Sequence, residues 1–155
     1  MTDFSSLFAH NSWANGLLLQ GLRNAPASFL QQDGRPGAGT NLASLQHMLG
    51  VERIFLEAQR GAGFVEPNLP DDLDGLVAYS EATGHEYKEF ITNLLDPSQK
   101  VYIAWWEREF TVEGCFFQVI GHSWQHRAEL AWELARAGVD TGEMDYIRWL
   151  SRNTA

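Results

Sequence analysis

The chain has 155 residues, of which 45% are hydrophobic and 20% charged, with six Trp and a formal net charge of −9. Those values exclude a disordered chain and predict one domain over residues 1–155, long enough to bury a core without a disulfide or a structural metal. The negative charge without a Lys/Arg cluster excludes nucleic acid as a partner, and no apolar run reaches the roughly 20 residues that cross a bilayer, so no membrane is expected.

In chain order, the first helix is expected from about Asp3 to Asn24, where Phe4, Leu7, Phe8, Asn11, Ala14, Leu18 and Leu22 recur at intervals of three and four. The segment APASFLQQDGRPGAG then gathers Pro26, Gly34, Pro36, Gly37 and Gly39 and reads as a long connection. Thr40 is an N-cap for Asn41 to Arg60, a helix apolar on most of its circumference and therefore central. Asp71 and Asp74 read as a first-turn capping pattern for a third helix from Leu73 to Leu95, with Pro97 past its end. Lys100 to Val112 is rich in β-branched and aromatic residues without helical spacing and suits a short hairpin or an extended crossover. Thr111 can cap a fourth helix that runs to about Ala137 and stops at Gly138, and Asp140 with Glu143 reads as the capping pair of a short fifth. The expected fold is all-α, an antiparallel four-helix bundle with a β excursion before helix 4 and a short C-terminal helix.

The fourth helix carries VIGHSWQHRAELAWELARAG, which sets His122 and His126 one turn apart. At 100° per residue they differ by about 40° around the helix and about 6 Å along it, so both rings can reach one ion about 2 Å from each nitrogen. Glu129 and Glu133 fall within about 20° of His122, as does Cys115 two turns earlier. The spacing alone is a weak signal that more often marks a surface or structural pair, and a third ligand must come from elsewhere. His47 is the candidate, since Ala43, Val51, Ile54 and Ala58 share its stripe and turn it toward the bundle interior; a core histidine bonded to a carbonyl has the same signature. His10 and His85 have polar neighbours and read as solvated or rim positions.

With SWANGLLLQGL on helix 1, LQHMLGVERIFL on helix 2, and VIGHSWQHRAELAWELARAGV followed by MDYIRWL, the chain resembles the damage-inducible DinB-like family over nearly its whole length. The name is shared with an unrelated DNA polymerase. The resemblance implies an up-down-down-up bundle, often a homodimer, and a divalent metal, zinc or nickel foremost, on three histidines that match His47, His122 and His126. It also implies an activity among thiol-dependent S-transferases and isomerases, with a low-molecular-weight thiol as possible cosubstrate. Where relatives commonly read H-R-G-Q, this chain reads HRAEL, so Ala128 and Glu129 change the surroundings of the site.

Three neutral imidazoles leave a divalent ion its full charge and an open position, as catalytic rather than closed sites do. Bound water could attack an electrophile, or a thiol could ligate as thiolate, so a thiol-dependent transferase or isomerase acting on a small molecule stands beside a metal-dependent hydrolase. A non-catalytic protein that binds a metal or small molecule is the third reading. Glu129 is the candidate proton acceptor or partner of a ligand, against the common fate of a solvated glutamate. Trp105 and Trp106, adjacent on an expected strand, would face opposite sides, and Cys115 reads as a small buried thiol. The lone cysteine and an N-terminus without a signal-peptide pattern place the protein in the cytoplasm as an expectation.

Overall fold

Helical periodicity and helix caps, taken together, set nearly every boundary in the computed structural model, which describes residues 3–34, 37 and 39–153. α1 spans Phe4–Asn24, with the Asp3 carboxylate accepting from the Ser6 N–H at 3.0 Å. α2 spans Asn41–Gln59 behind Thr40, whose hydroxyl accepts from the Ala43 N–H at 3.1 Å. The connection between them contains a 3-10 turn at Phe29–Gln31 that buries Phe29, and Asp33 bridges to Thr40. Pro36, read as one of its breakers, lies outside the described residues. No helix among the described residues is long and apolar enough to cross a membrane.

α3 covers Leu73–Thr92 and ends three residues before the expected Leu95. Its N-cap is Asp72, which accepts from the Gly75 N–H at 2.8 Å, rather than the expected Asp71 and Asp74 pair. Asp71 is instead held by the Gln46 side chain of α2 at 3.1 Å, and Asp74 by Arg23 of α1 at 2.7 Å. The aromatic segment is a hairpin: β1 (Lys100–Ile103) pairs antiparallel with β2 (Arg108–Thr111), and a 3-10 turn at Ala104–Trp106 joins them. Trp105 and Trp106 therefore stand on a turn, and strand alternation does not govern them. Glu107 closes that turn with φ 51°, the one non-glycine described in the left-handed region.

α4 (Val112–Arg136) continues from β2 without a loop. Three of its first amides, which have no partner within the helix, are satisfied from upstream: Val112 donates to Gln99, Glu113 to Pro97, and Gly114 to the Thr111 hydroxyl. Gly138, at φ 81°, takes the left-handed position just past its end. α5 is Tyr146–Asn153. Its expected caps do other work, because Asp140 closes a turn by accepting from the Gly142 N–H while Glu143 pairs with Arg148 on α5.

Cross-helix contacts set the directions. Arg23 meets Asp74 while Ser12 lies beside Gly84, so α1 and α3 are antiparallel; Phe4 meets Phe116 and Asn15 meets Arg127, so α1 and α4 are parallel. Gln59 reaches Val112 and His47 reaches His122, so α2 opposes α4, and the order is up-down-down-up. Two apolar clusters fill the bundle. One gathers Phe4, Phe8, Phe55, Tyr87, Ile103 and Phe116, and the other gathers Leu18, Leu22, Leu45, Met48, Leu76 and Leu134.

Between those clusters runs a buried polar layer. The Glu52 carboxylate accepts from Asn11 at 2.9 Å, Asn15 at 3.1 Å and Ser123 at 2.6 Å. Arg127 donates to the amide oxygens of the same two asparagines at 2.6 and 2.8 Å. Each asparagine thus faces the acid with its NH2 and the base with its oxygen, and a buried ion pair is bridged across α1, α2 and α4. Burial lowers the Arg127 pKa, and the Glu52 charge opposes that shift.

Candidate metal centre

The polar layer and the histidines occupy the same level of the bundle, because His122 precedes Ser123 and His126 precedes Arg127 on α4. Ser123 and Arg127 turn inward to Glu52 and the asparagines, and fixing those two side chains fixes the rotation of α4 about its axis. The adjacent imidazoles then fall on the seam with α2, where His47 meets them. The three rings have centroid separations of 4.9 Å (His47 to His122), 5.0 Å (His47 to His126) and 4.4 Å (His122 to His126). One ring nitrogen from each lies within 4.8 Å of the other two, close enough to share a divalent ion.

The rings grade from outside inward: His47 is exposed, His122 half-buried and His126 buried. An inward-facing His47, expected from its stripe, is therefore corrected. Ala43 of that stripe is exposed, Val51 and Ile54 are half-buried and only Ala58 is in the core, so at His47 the stripe has reached the edge of α2 that meets α4. Convergence survives because the partner rings come to that edge.

Nε2 of His47 and Nε2 of His122 are 3.1 Å apart. An ion with bonds of about 2.0–2.1 Å sets tetrahedral ligand atoms about 3.3 Å from each other, so this edge fits a metal polyhedron almost as it stands. An N–H···N bond between two neutral rings has the same length, but it requires no third imidazole, and here a third is present. Burial, followed by the neighbouring His126 and His47, lowers the His122 pKa from 6.5 to about 4 against the opposing pull of Glu129. The ring is neutral at neutral pH and its lone pair is available, while its Nδ1 is buried without a hydrogen-bond partner.

Glu129 stands behind the site. Its Oε2 lies 3.1 Å from Nδ1 of His126, and its Oε1 accepts from Gln125 at 3.2 Å. That contact is a close approach of a carboxylate to the ring, the kind of neighbour that metal-bound histidines commonly have. Glu129 of the HRAEL stretch thus touches a ring of the cluster.

The remaining candidates separate cleanly. His85 is exposed, as expected. His10 is more than a rim residue: its Nε2 donates to the Met144 carbonyl at 2.8 Å and its ring contacts Trp13, Tyr146 and Trp149, tying α5 to α1. Neither joins the cluster. Cys115 is buried and its pKa rises to about 11 through desolvation, so its thiol is protonated at neutral pH. Beyond His122 toward the start of α4, the α2–α4 seam opens into a cavity of about 590 Å³ lined by Phe55, Trp106, Arg108, Phe110, Cys115 and Gln118. Gln118 is one helical turn from His122.

Glu52, Asn15 and Arg127 were not singled out from sequence. Their one signal is the polar pair Asn11 and Asn15 at i,i+4 inside an otherwise apolar stripe, matched by an acid on the central helix. Which charges meet depends on the register of three helices.

The sequence model of the DinB family matches residues 1–153 of the chain. No curated protein matches it.

Proposed function

The chain belongs to the DinB family, and from that premise we propose that His47, His122 and His126 hold a divalent ion, zinc or nickel, at the centre of a small-molecule enzyme. The convergence of three imidazoles from two helices carries this reading. The activity it supports best is a thiol-dependent S-transfer or isomerisation on a small electrophile. When bound, the ion supplies Lewis acidity and lowers the pKa of a thiol or water that reaches its open side.

The chain's own residues do the rest. Neutral His122 offers a lone pair without competition from a proton at neutral pH. Glu129, 3.1 Å from Nδ1 of His126, positions that ring and is the acceptor for the proton released when a thiol binds. Cys115, protonated and buried, supplies no nucleophile, so the thiol must come from a separate molecule. The cavity beside His122 gives the substrate room along the same stripe of α4.

Protein reconstituted with zinc or nickel and assayed with low-molecular-weight thiols and electrophilic acceptors should turn over. Activity confined to ester and amide substrates would replace the transferase with a hydrolase. Silence in both panels, with metal bound, would leave a non-catalytic metal-binding protein. An anomalous-scattering map at the metal edge tests ion and ligands together; three imidazoles that do not share a peak would sink the proposal.

We propose further that the protein is a homodimer joined through α4. Phe117, Trp124 and Trp132 are 52%, 71% and 67% exposed on that helix, an apolar face larger than a solvated helix needs. Light scattering should return twice the 17.5 kDa chain mass, and Trp124→Glu with Trp132→Glu should restore that mass itself.

A further inference from the structure

The hairpin register fixes what faces the cavity. Arg108 pairs with Ile103 and Phe110 with Val101, and residues directly opposite in a ladder share a face. Ile103 is fully buried, so that face looks at the bundle. Glu109 lies on the other face, where it meets Lys100 at 3.8 Å. Arg108 is therefore a cation on the same side of the hairpin as Ile103, itself exposed, at the rim of the cavity. It has no ion pair or hydrogen bond among the described residues, whereas Arg23, Arg53, Arg60, Arg136 and Arg148 all pair with carboxylates.

The other lining residues are uncharged, and three are aromatic. The Trp106 ring lies 5.8 Å from Phe55 and 5.6 Å from Phe110. An apolar wall of rings with one unpaired guanidinium and no carboxylate suits a flat apolar body that ends in an anion, and a chain of net charge −9 offers few such places. The volume of about 590 Å³ falls within the usual range for small-molecule sites.

We propose that this cavity binds an aromatic carboxylate, with the Arg108 guanidinium donating to the carboxylate and the ring body against Trp106, Phe55 and Phe110. This deepens the enzymatic reading by naming its substrate class, and rests on that reading only for what happens to the ligand. The acid end is held at the hairpin, and the far end of the ligand extends along α4 past Gln118 toward the histidines.

Calorimetry with 2-naphthoate and 2-naphthamide, in the presence of chelator, tests the cavity apart from any metal. Wild-type protein should bind the acid at least about ten-fold tighter than the isosteric amide, since charge-assisted bonds are about twice as strong as neutral ones. Arg108→Gln should remove that preference and Arg108→Lys should keep part of it. Raising NaCl from about 50 to about 500 mM should weaken only the acid, and only in wild type and the lysine variant. Equal affinities in wild type, a preference that survives Arg108→Gln, or no binding of either compound overturns the proposal. Because every arm is metal-free, failure here leaves the three-histidine site standing, and failure of that site leaves this result intact.

Discussion

His122 and His126 illustrate how one residue type serves a site through its neighbours. Each is followed by a side chain locked into the polar layer, so the rings are aimed by Ser123 and Arg127 as much as by their own rotamers. Metal should stabilise the fold by about 4 kcal/mol at a thousandfold excess over Kd, a rise in Tm on the order of 10 °C. Thermal melts with and without chelator should show His47→Ala, His122→Ala and His126→Ala each losing most of that rise. His85→Ala should keep it, and His10→Ala should keep it from a lower baseline, since the Met144 bond is lost. A second expectation concerns Cys115, whose pKa rises from 9.0 to about 11 on burial. A thiol with a raised folded pKa contributes stability below its unfolded value, and that contribution is lost as pH rises from about 9 through 11. Native protein at pH 8 should accordingly resist iodoacetamide and react only once unfolded; alkylation at the rate of a free thiol would show the site open. The histidine pair was legible because spacing of four on a helix is a local property. His47 was legible as a candidate but its exposure was not, because the edge of α2 is defined only by the arrival of α4.

Among the elements, the helices follow from apolar periodicity and the hydroxyl caps Thr40 and Thr111, both local signals. Acidic caps were harder to place, because Asp71, Asp72 and Asp74 lie together and only Gln46 and Arg23 decide which of them is free to cap. The hairpin was legible as β, but its 3-10 turn was not, because the left-handed Glu107 that closes it carries no sequence signature. Left-handed backbone costs a residue with a Cβ roughly 1–2 kcal/mol, part of which glycine returns as chain entropy. Glu107→Gly should thus stabilise the protein by about 0.5–1 kcal/mol in urea melts, whereas Thr111→Ala, which strips the cap of α4, should cost about 1 kcal/mol. A neutral or destabilising Glu107→Gly would mean that the turn is not under strain.

The whole bundle is two apolar halves joined by one charged layer. Glu52→Ala alone leaves Arg127 buried without its acid and should cost about 3–5 kcal/mol, while Glu52→Leu combined with Arg127→Met should recover much of that loss. Additive costs in urea denaturation would show that the two charges do not act as a unit. The layer also specifies the order of packing, since acid and base are bridged only when α1, α2 and α4 are in register. His47 and His122 are separated by 75 positions, and α3 and the hairpin intervene. A ribosome exposes His47 long before the α4 pair, and for that interval the chain presents one of the three imidazoles of the proposed site, too few to retain an ion against the chelators of a cell. Loading of the proposed ion would consequently be a finishing step, taken by a bundle that has already closed, and the choice among competing metals would fall to a folded protein with fixed geometry rather than to a nascent one that accepts whatever arrives first.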